Sequence, residues 1–472
     1  MSNAIQALHP EHHGGVQETY NPTTGGKLYT YRMQSKKEAE QTIDNAHEAF
    51  KNWRKTSMEK RAEIISEIGT LLKENKSELA KMMAENMGKP ISEGQQEVDM
   101  CATICGYTAG NGPERLQDEH RKTSAGRSIV TYQPMGVILA MQPWNFPLYQ
   151  VIRYSVANLL AGNTTVLKHA PICWKIAERI QDIFSKAGVP ENVFSLLYVT
   201  DETVDTLIDH PHVRGVTLTG SAKAGKIVGS KAGNALKKSV LELGGSDPYI
   251  ILEDADIDKI IPTCVQGRIN NAGQTCVAAK RFIVVEEKYE EFKEKFVEAM
   301  KNVKYGNPMD ENTQMGPLAR RDLRENLHKQ VQDCLVMGAT CLTGGKIPED
   351  EDGNFYPATV LEDITPEMPA YKDELFGPVA ALFKAKDAQD ACRIANDHRY
   401  GLGGGIFTAD EKRGIELART EIDTGMINVN CYALAQPEAP FGGVKDSGYG
   451  REHGGFGVRE FVNVKTINMP DE

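Results

Sequence analysis

Between Gly136 and Glu242 short apolar runs alternate with helical stretches, and this rhythm restricts the fold more than any other property of the chain. Gly136-Val137-Ile138-Leu139-Ala140-Met141 is continuously apolar and runs into a proline and asparagine cluster, as expected of a strand buried on both faces with a loop at its carboxyl end. Residues 164–168, 193–197, 215–219 and 239–242 repeat that strand character, with helical spacing over 172–187, 201–209 and up to Ala232. Strands separated by helices point to a parallel sheet covered by helices on both faces. The predicted class is α/β.

A second alternating region begins near residue 247, with a strand at 282–285 and helices over 287–302 and 318–337. Upstream, residues 37–53 and 58–88 carry apolar side chains at helical spacing and are predicted as two helices. Residues 127–133 alternate as a strand does, and 456–469 have β character. At 472 residues the chain exceeds one ordinary core, so two or three domains are expected.

Composition closes off several functions. No apolar run reaches the ~18 residues of a membrane span. The net charge of −11 and the lack of a long basic run argue against nucleic acid and against an anionic membrane surface. The first residues lack a basic stretch followed by an apolar one, and the nine cysteines are scattered, so reduced thiols in the cytoplasm are expected. Cys101 and Cys105 read as one helical face, not a metal half-site, and His12-His13 as a terminus, leaving no metal site. The acidic patch at 349–352 reads as a solvated loop.

The chemistry concentrates in a few short motifs. Cys276 ends Asn271-Ala272-Gly273-Gln274-Thr275-Cys276, where a turn offers a thiolate nucleophile, given access and a lowered pKa from a helix terminus or a cation. Glu242 ends an apolar strand and enters Leu243-Gly244-Gly245, a setting that raises a carboxyl pKa and suits a general base. Asn145, in Pro143-Trp144-Asn145-Phe146-Pro147, either satisfies its own turn or donates its amide to an oxyanion. Gly220-Ser221-Ala222-Lys223-Ala224-Gly225 opens a helix after a strand, where N–H groups favour an anion such as a dinucleotide pyrophosphate. Lys168 at another strand end either reaches a ribose or is a surface lysine. Glu374-Leu375-Phe376-Gly377-Pro378 reads as a hydrophobic turn, and Gly442-Gly443-Val444-Lys445 as a glycine-rich loop.

These motifs, with Pro440-Phe441-Gly442-Gly443, together resemble the NAD(P)-dependent aldehyde dehydrogenase superfamily over nearly the whole chain. The resemblance implies a Rossmann-like dinucleotide-binding domain (1–117 and 139–245), an α/β catalytic domain (246–441) and a small β oligomerisation hairpin (118–138 and 442–472), assembled as a homodimer or homotetramer. It implies that Cys276 attacks an aldehyde, that Asn145 and the Cys276 N–H hold the oxyanion, and that Glu242 activates the hydrolytic water. Trp144, Lys168, Gly220, Ser221, Gly225, Glu374 and Phe376 would contact NAD or NADP. Many NAD-preferring members carry a glutamate at the position of Pro171, so both cofactors are expected.

Arg153 marks the substrate. Succinate-semialdehyde dehydrogenases place an arginine there, and a guanidinium can clamp a carboxylate bidentately. Asn270 replaces a second arginine of the better-known enzymes, whereas Lys168-His169-Ala170-Pro171 and Ala278-Ala279-Lys280-Arg281-Phe282 resemble the shorter bacterial branch. Ala278 stands where redox-switched relatives have a second cysteine, so no disulfide switch is expected. The expected reaction is succinate semialdehyde to succinate. If Arg153 instead serves a structural ion pair, another medium-chain or aromatic aldehyde would bind through Trp144, Phe146 and Phe441. Glu242 disfavours transfer to CoA, and intact Cys276, Glu242 and Asn145 disfavour a silent binding protein. A cysteine hydrolase lacks its histidine.

Overall fold

The structure, a computed structural model, describes residues 15–124, 126–349 and 352–470, so His12, His13 and two residues of the acidic patch lie outside the described residues. A six-stranded sheet runs in the order Gly448–Tyr449, Lys238–Glu242, Val213–Thr219, Val137–Gln142, Thr164–His169, Phe194–Leu196. Neighbours are parallel except Gly448–Tyr449, which is antiparallel to Lys238–Glu242. From Val137–Gln142 the chain winds outward on one side, then returns to build the other. Crevices form at the carboxyl ends of strands flanking such a reversal. The doubly wound, Rossmann-like expectation holds.

Period-two geometry explains this placement. Val137, Leu139 and Met141 face one core together with Ala39, Ile43 and Ala46 of helix Lys36–Trp53, whereas Ala140 faces the opposite core with Ile152 and Ile180. Every residue of Val137–Gln142 is buried.

The predicted helix over 58–88 is two helices, Met58–Glu74 and Lys76–Met87. Asn75 breaks it, with φ −100° and a side-chain amide donating to the Leu71 carbonyl at 2.7 Å. Helix Ile91–Arg115 was not anticipated, because its glycines and Pro113 weaken local propensity. Packing overrides propensity there: a Cβ on Gly94 would lie 3.1 Å from Ala80 Cα, so the glycine permits close helix contact. Cys101 and Cys105 are both buried on this helix, as one face requires. The strand read over 456–469 is Val462–Met469, preceded by the helical turn Gly457–Glu460.

The second large sheet has seven strands in the order Thr340–Thr343, Thr359–Glu362, Val379–Ala385, Ala279–Val285, Asp247–Ile251, Gly405–Phe407, Asn428–Val429. All pairings are parallel except the first. A separate three-stranded antiparallel sheet joins Val462–Met469 to Gly126–Pro134, and that strand to Glu119–Thr123. Val462–Met469 is its edge, with Val464 60% and Ile467 43% exposed. Among the described residues no helix is long and apolar enough to cross a membrane.

Candidate active site

Cys276 lies between helix Ile257–Ile269 and strand Ala279–Val285, after a tight turn. Asn271, Ala272 and Gly273 are consecutive left-handed residues, with φ of 54°, 53° and 72°. For the two with a Cβ this conformation costs about 1–2 kcal/mol each, so the surroundings must hold it. Asn271 Nδ2 donates to the Asn145 carbonyl at 2.7 Å and the Gln274 carbonyl at 3.2 Å. Gln274 Nε2 donates to the Asn271 carbonyl at 3.0 Å, and Arg268 to the Gly273 carbonyl at 2.8 Å. A Cβ on Gly273 would lie 2.3 Å from the Gly377 carbonyl oxygen, so the cysteine turn backs directly onto the Phe376-Gly377-Pro378 turn. Gly273→Ala is therefore expected to destabilise the protein by about 3 kcal/mol, read from its urea midpoint.

Asn145 follows strand Val137–Gln142 and is buried. Its Nδ2 donates to the Gln274 carbonyl at 3.1 Å, against the cysteine loop. An amide nitrogen carries two hydrogens, so one remains for a ligand oxygen. The side chain thus bonds to the cysteine loop and not within its own turn.

The thiol departs from expectation. Burial pushes Cys276 up to about 12, with Lys280 and Arg153 pulling it back. Buried Val277, Leu402 and Phe441 pack around it, and low polarity disfavours the thiolate. Lys280, missed in the sequence, is fully buried and donates to the carbonyls of Cys276 at 2.7 Å and Thr275 at 2.9 Å. It also pairs with Glu374 at 3.3 Å, and Glu374 accepts the Gly245 N–H at 3.2 Å. A lysine inside an apolar strand run was the available signal.

Glu242 is 2% exposed, and neither carboxyl oxygen has a hydrogen-bond partner among the described residues. Burial raises its pKa well above the usual carboxylate range, with Arg153 opposing, as its strand-end position suggested. A Cβ on Gly442 would lie 2.8 Å from Glu242 Oε1, which accounts for a glycine in that loop.

Arg153 corrects the simplest substrate reading. Its guanidinium is buried in an ion pair with Glu452, donates to Thr219 Oγ1 at 2.8 Å, and lies 5.2 Å from the centroids of both the Tyr149 and Phe441 rings. It is not an unpaired cation. Glu452 was missed because nothing local links it to Arg153.

A cavity of about 860 Å³ opens at the carboxyl ends of Val137–Gln142, Thr164–His169 and Val213–Thr219. Lys168, Pro171, Thr200, Gly220 and Ala224 line it. Lys168 is ion-paired with Asp201. Ser221 is exposed and caps helix Ala222–Asn234, accepting the Ala224 N–H at 3.2 Å. Gly225 does not line the cavity. A Cβ there would meet Leu243 Cδ1 at 2.4 Å, so this glycine seats the helix against the sheet. Trp144 and Phe376 meet edge to face at 5.8 Å outside this cavity, and Glu374 faces Lys280. Volume, helix N-terminus and lysine suit an elongated, doubly phosphorylated cofactor.

Comparison with known proteins agrees. The model described as the aldehyde dehydrogenase family matches residues 9–467. A succinate semialdehyde dehydrogenase [NAD(P)+] of Escherichia coli is 43% identical over 95% of this chain and 96% of its own. A succinate-semialdehyde dehydrogenase [NADP(+)] of Deinococcus radiodurans is 40% identical over 95% and 94%. The crystal structure of succinic semialdehyde dehydrogenase from Streptococcus pyogenes, in complex with NADP+, superposes with a TM-score of 0.93 at 37% identity, covering 96% of this chain and all of that one. A family match along almost the entire length, on a fold that brings Asn145 to the Cys276 loop, means that this chain belongs to the aldehyde dehydrogenase family.

Proposed function

We propose that this protein oxidises succinate semialdehyde to succinate with NAD or NADP, through a thiohemiacetal and then a thioester on Cys276. The observation that carries the covalent chemistry is the Asn145 amide held against the Cys276 loop, with the partnerless carboxyl of Glu242 beside the same Arg153 that influences the thiol.

The Cys276 thiol gives its proton to solvent as its sulfur bonds to the aldehyde carbon. The carbonyl oxygen gains the negative charge, stabilised by the Asn145 amide and the Cys276 N–H. The nicotinamide, when bound, supplies the acceptor for the hydride that leaves the tetrahedral carbon. Cys276 then holds an acyl group as a thioester. Glu242 takes a proton from water, the water oxygen bonds to the acyl carbon, and the sulfur leaves as thiolate. Lys168 and the Gly220-Ser221 helix start orient the cofactor. Trp144, Glu374 and Phe376 would meet its nicotinamide-ribose end. Pro171 lines the cavity without a carboxylate, which supports use of both cofactors.

Relatives named for succinate semialdehyde support the substrate, with Arg153 drawing the far carboxylate past Phe441. A second reading, another medium-chain or aromatic aldehyde, is favoured by the Arg153–Glu452 pair and by the apolar wall of Val277, Leu402 and Phe441. Comparing kcat/KM for succinate semialdehyde and butanal separates them, since the two share chain length and differ in one carboxylate. The first reading expects a preference of about 10³-fold. Near-equal values would leave Arg153 structural.

We assign residues 1–117 and 139–245 to cofactor binding, 246–441 to catalysis, and 118–138 with 442–472 to subunit pairing. The exposed edge strand Val462–Met469 supports a homodimer or homotetramer formed by strand addition.

A further inference from the structure

Helix Ile91–Arg115 begins behind the cysteine turn. Glu93 in its first turn is half-buried. One carboxyl oxygen accepts the Asn271 N–H at 2.8 Å, the other the Asn270 side-chain amide at 3.3 Å. Asn271 is the first of the left-handed residues, and its own side chain ties the Asn145 backbone to the Gln274 carbonyl. One helical turn on, Glu97 accepts the N–H groups of Leu148 and Tyr149, each at 2.9 Å, and is ion-paired with Lys89. The Lys89 ammonium lies 3.7 Å from the Phe146 ring centroid. One end of one helix therefore grips both the Asn145 segment and the Cys276 turn.

We infer that Glu93 is a positioning residue for acylation: its carboxylate clamps the strained 270–273 turn so that the Asn145 amide and the Cys276 N–H converge on one oxygen. The inference rests on the covalent reading above. Two costly left-handed residues need an external partner, and the clamped N–H belongs to the first of them. A carboxylate accepts such bonds more strongly when ionised.

The charged and titratable groups facing Glu93 are Lys89, Glu97 and Tyr432. Burial pushes Glu93 up to about 7, Glu97 adds to the rise, and Lys89 and the Asn271 N–H oppose it. The grip is thus expected to tighten as pH rises through neutrality.

The test compares wild type, Glu93→Ala and Glu93→Gln by the pre-steady-state burst of NAD(P)H, scaled to titrated Cys276 thiol, alongside cofactor affinity and melting temperature. Glu93→Ala is expected to slow the burst about 100-fold, the effect of an ångström-scale misplacement, with cofactor affinity unchanged. Glu93→Gln keeps an acceptor but never ionises. The wild-type to Gln ratio of burst rates, in which Glu242 and Cys276 titrations cancel, is expected to rise about tenfold from about pH 6 to 8. A burst in Glu93→Ala within about twofold of wild type overturns the inference, whatever its melting temperature, because misplacement must register in the rate. So does a Glu93→Gln burst equal to wild type at pH 8, which decides the matter if the alanine variant fails to fold. A wild type that turns over aldehyde without any burst or thiol dependence overturns the covalent reading instead.

Discussion

Replacing Cys276 by alanine is expected to lower NAD(P)H formation from any aldehyde by on the order of 10⁴-fold or more, as loss of an attacking group does in other covalent enzymes. Cofactor affinity, measured by calorimetry, is expected to stay unchanged, since Cys276 does not line the cavity that holds Lys168 and Gly220. Ala278, two residues on, offers no second thiol at that position of the loop. Retained turnover would remove the thioester from the mechanism. Failure of wild type itself with a panel of aldehydes would revive a binding protein that kept the fold. Loss of cofactor binding in the variant would mean that the cysteine supports the cleft instead of the chemistry.

Glu242→Gln is expected to leave the first NAD(P)H burst largely in place and to slow the following steady state by about 10²–10⁴-fold, the range for removing a general base. The acyl group can form without Glu242, because solvent takes the thiol proton, but hydrolysis needs an activated water at the buried carbon. Because burial raises the Glu242 pKa, the carboxyl is the neutral acid at low pH and becomes a base as pH rises. Wild-type deacylation should climb with pH, and the glutamine variant should lose that limb. Stability runs the other way. The folded state holds this proton more tightly than the unfolded chain, so its contribution is complete at low pH. That contribution declines as pH rises from the usual carboxylate value of 4.5 towards the raised one. Glu242→Gln escapes the decline and is expected to melt higher than wild type at alkaline pH. A variant with an unchanged steady-state rate would assign the base elsewhere.

Local patterning carried much of this. The buried run from Val137 to Met141 declares itself because every residue is apolar, and its two faces meet two different cores. Cys276, Glu242 and Asn145 stood out because each lies in a short motif at a strand end or start, with glycine or proline close by. What stayed hidden depends on distant partners. Helix Ile91–Arg115 forms despite its glycines because other helices press against Gly94 and Gly112. The high thiol pKa follows from side chains that only folding brings around Cys276. Arg153 could be read as a carboxylate clamp or one half of an ion pair until folding brought Glu452 to it, and Gly225 looked like a phosphate contact until Leu243 filled the space beside it.

The loop around Gly442 has a consequence for biosynthesis. Gly442 walls Glu242, Glu452 pairs with Arg153, and Gly448–Tyr449 borders the strand that carries Glu242, while Val462–Met469 pairs with Gly126–Pro134. Cys276 and the cavity lined by Lys168 and Gly220 are translated well before these pieces. During vectorial synthesis the emerging chain therefore holds Cys276 in an unfinished pocket, with Glu242 still open to water. Burial of the Glu242 carboxyl therefore waits until residues 442–449 have been made and have folded back against its strand.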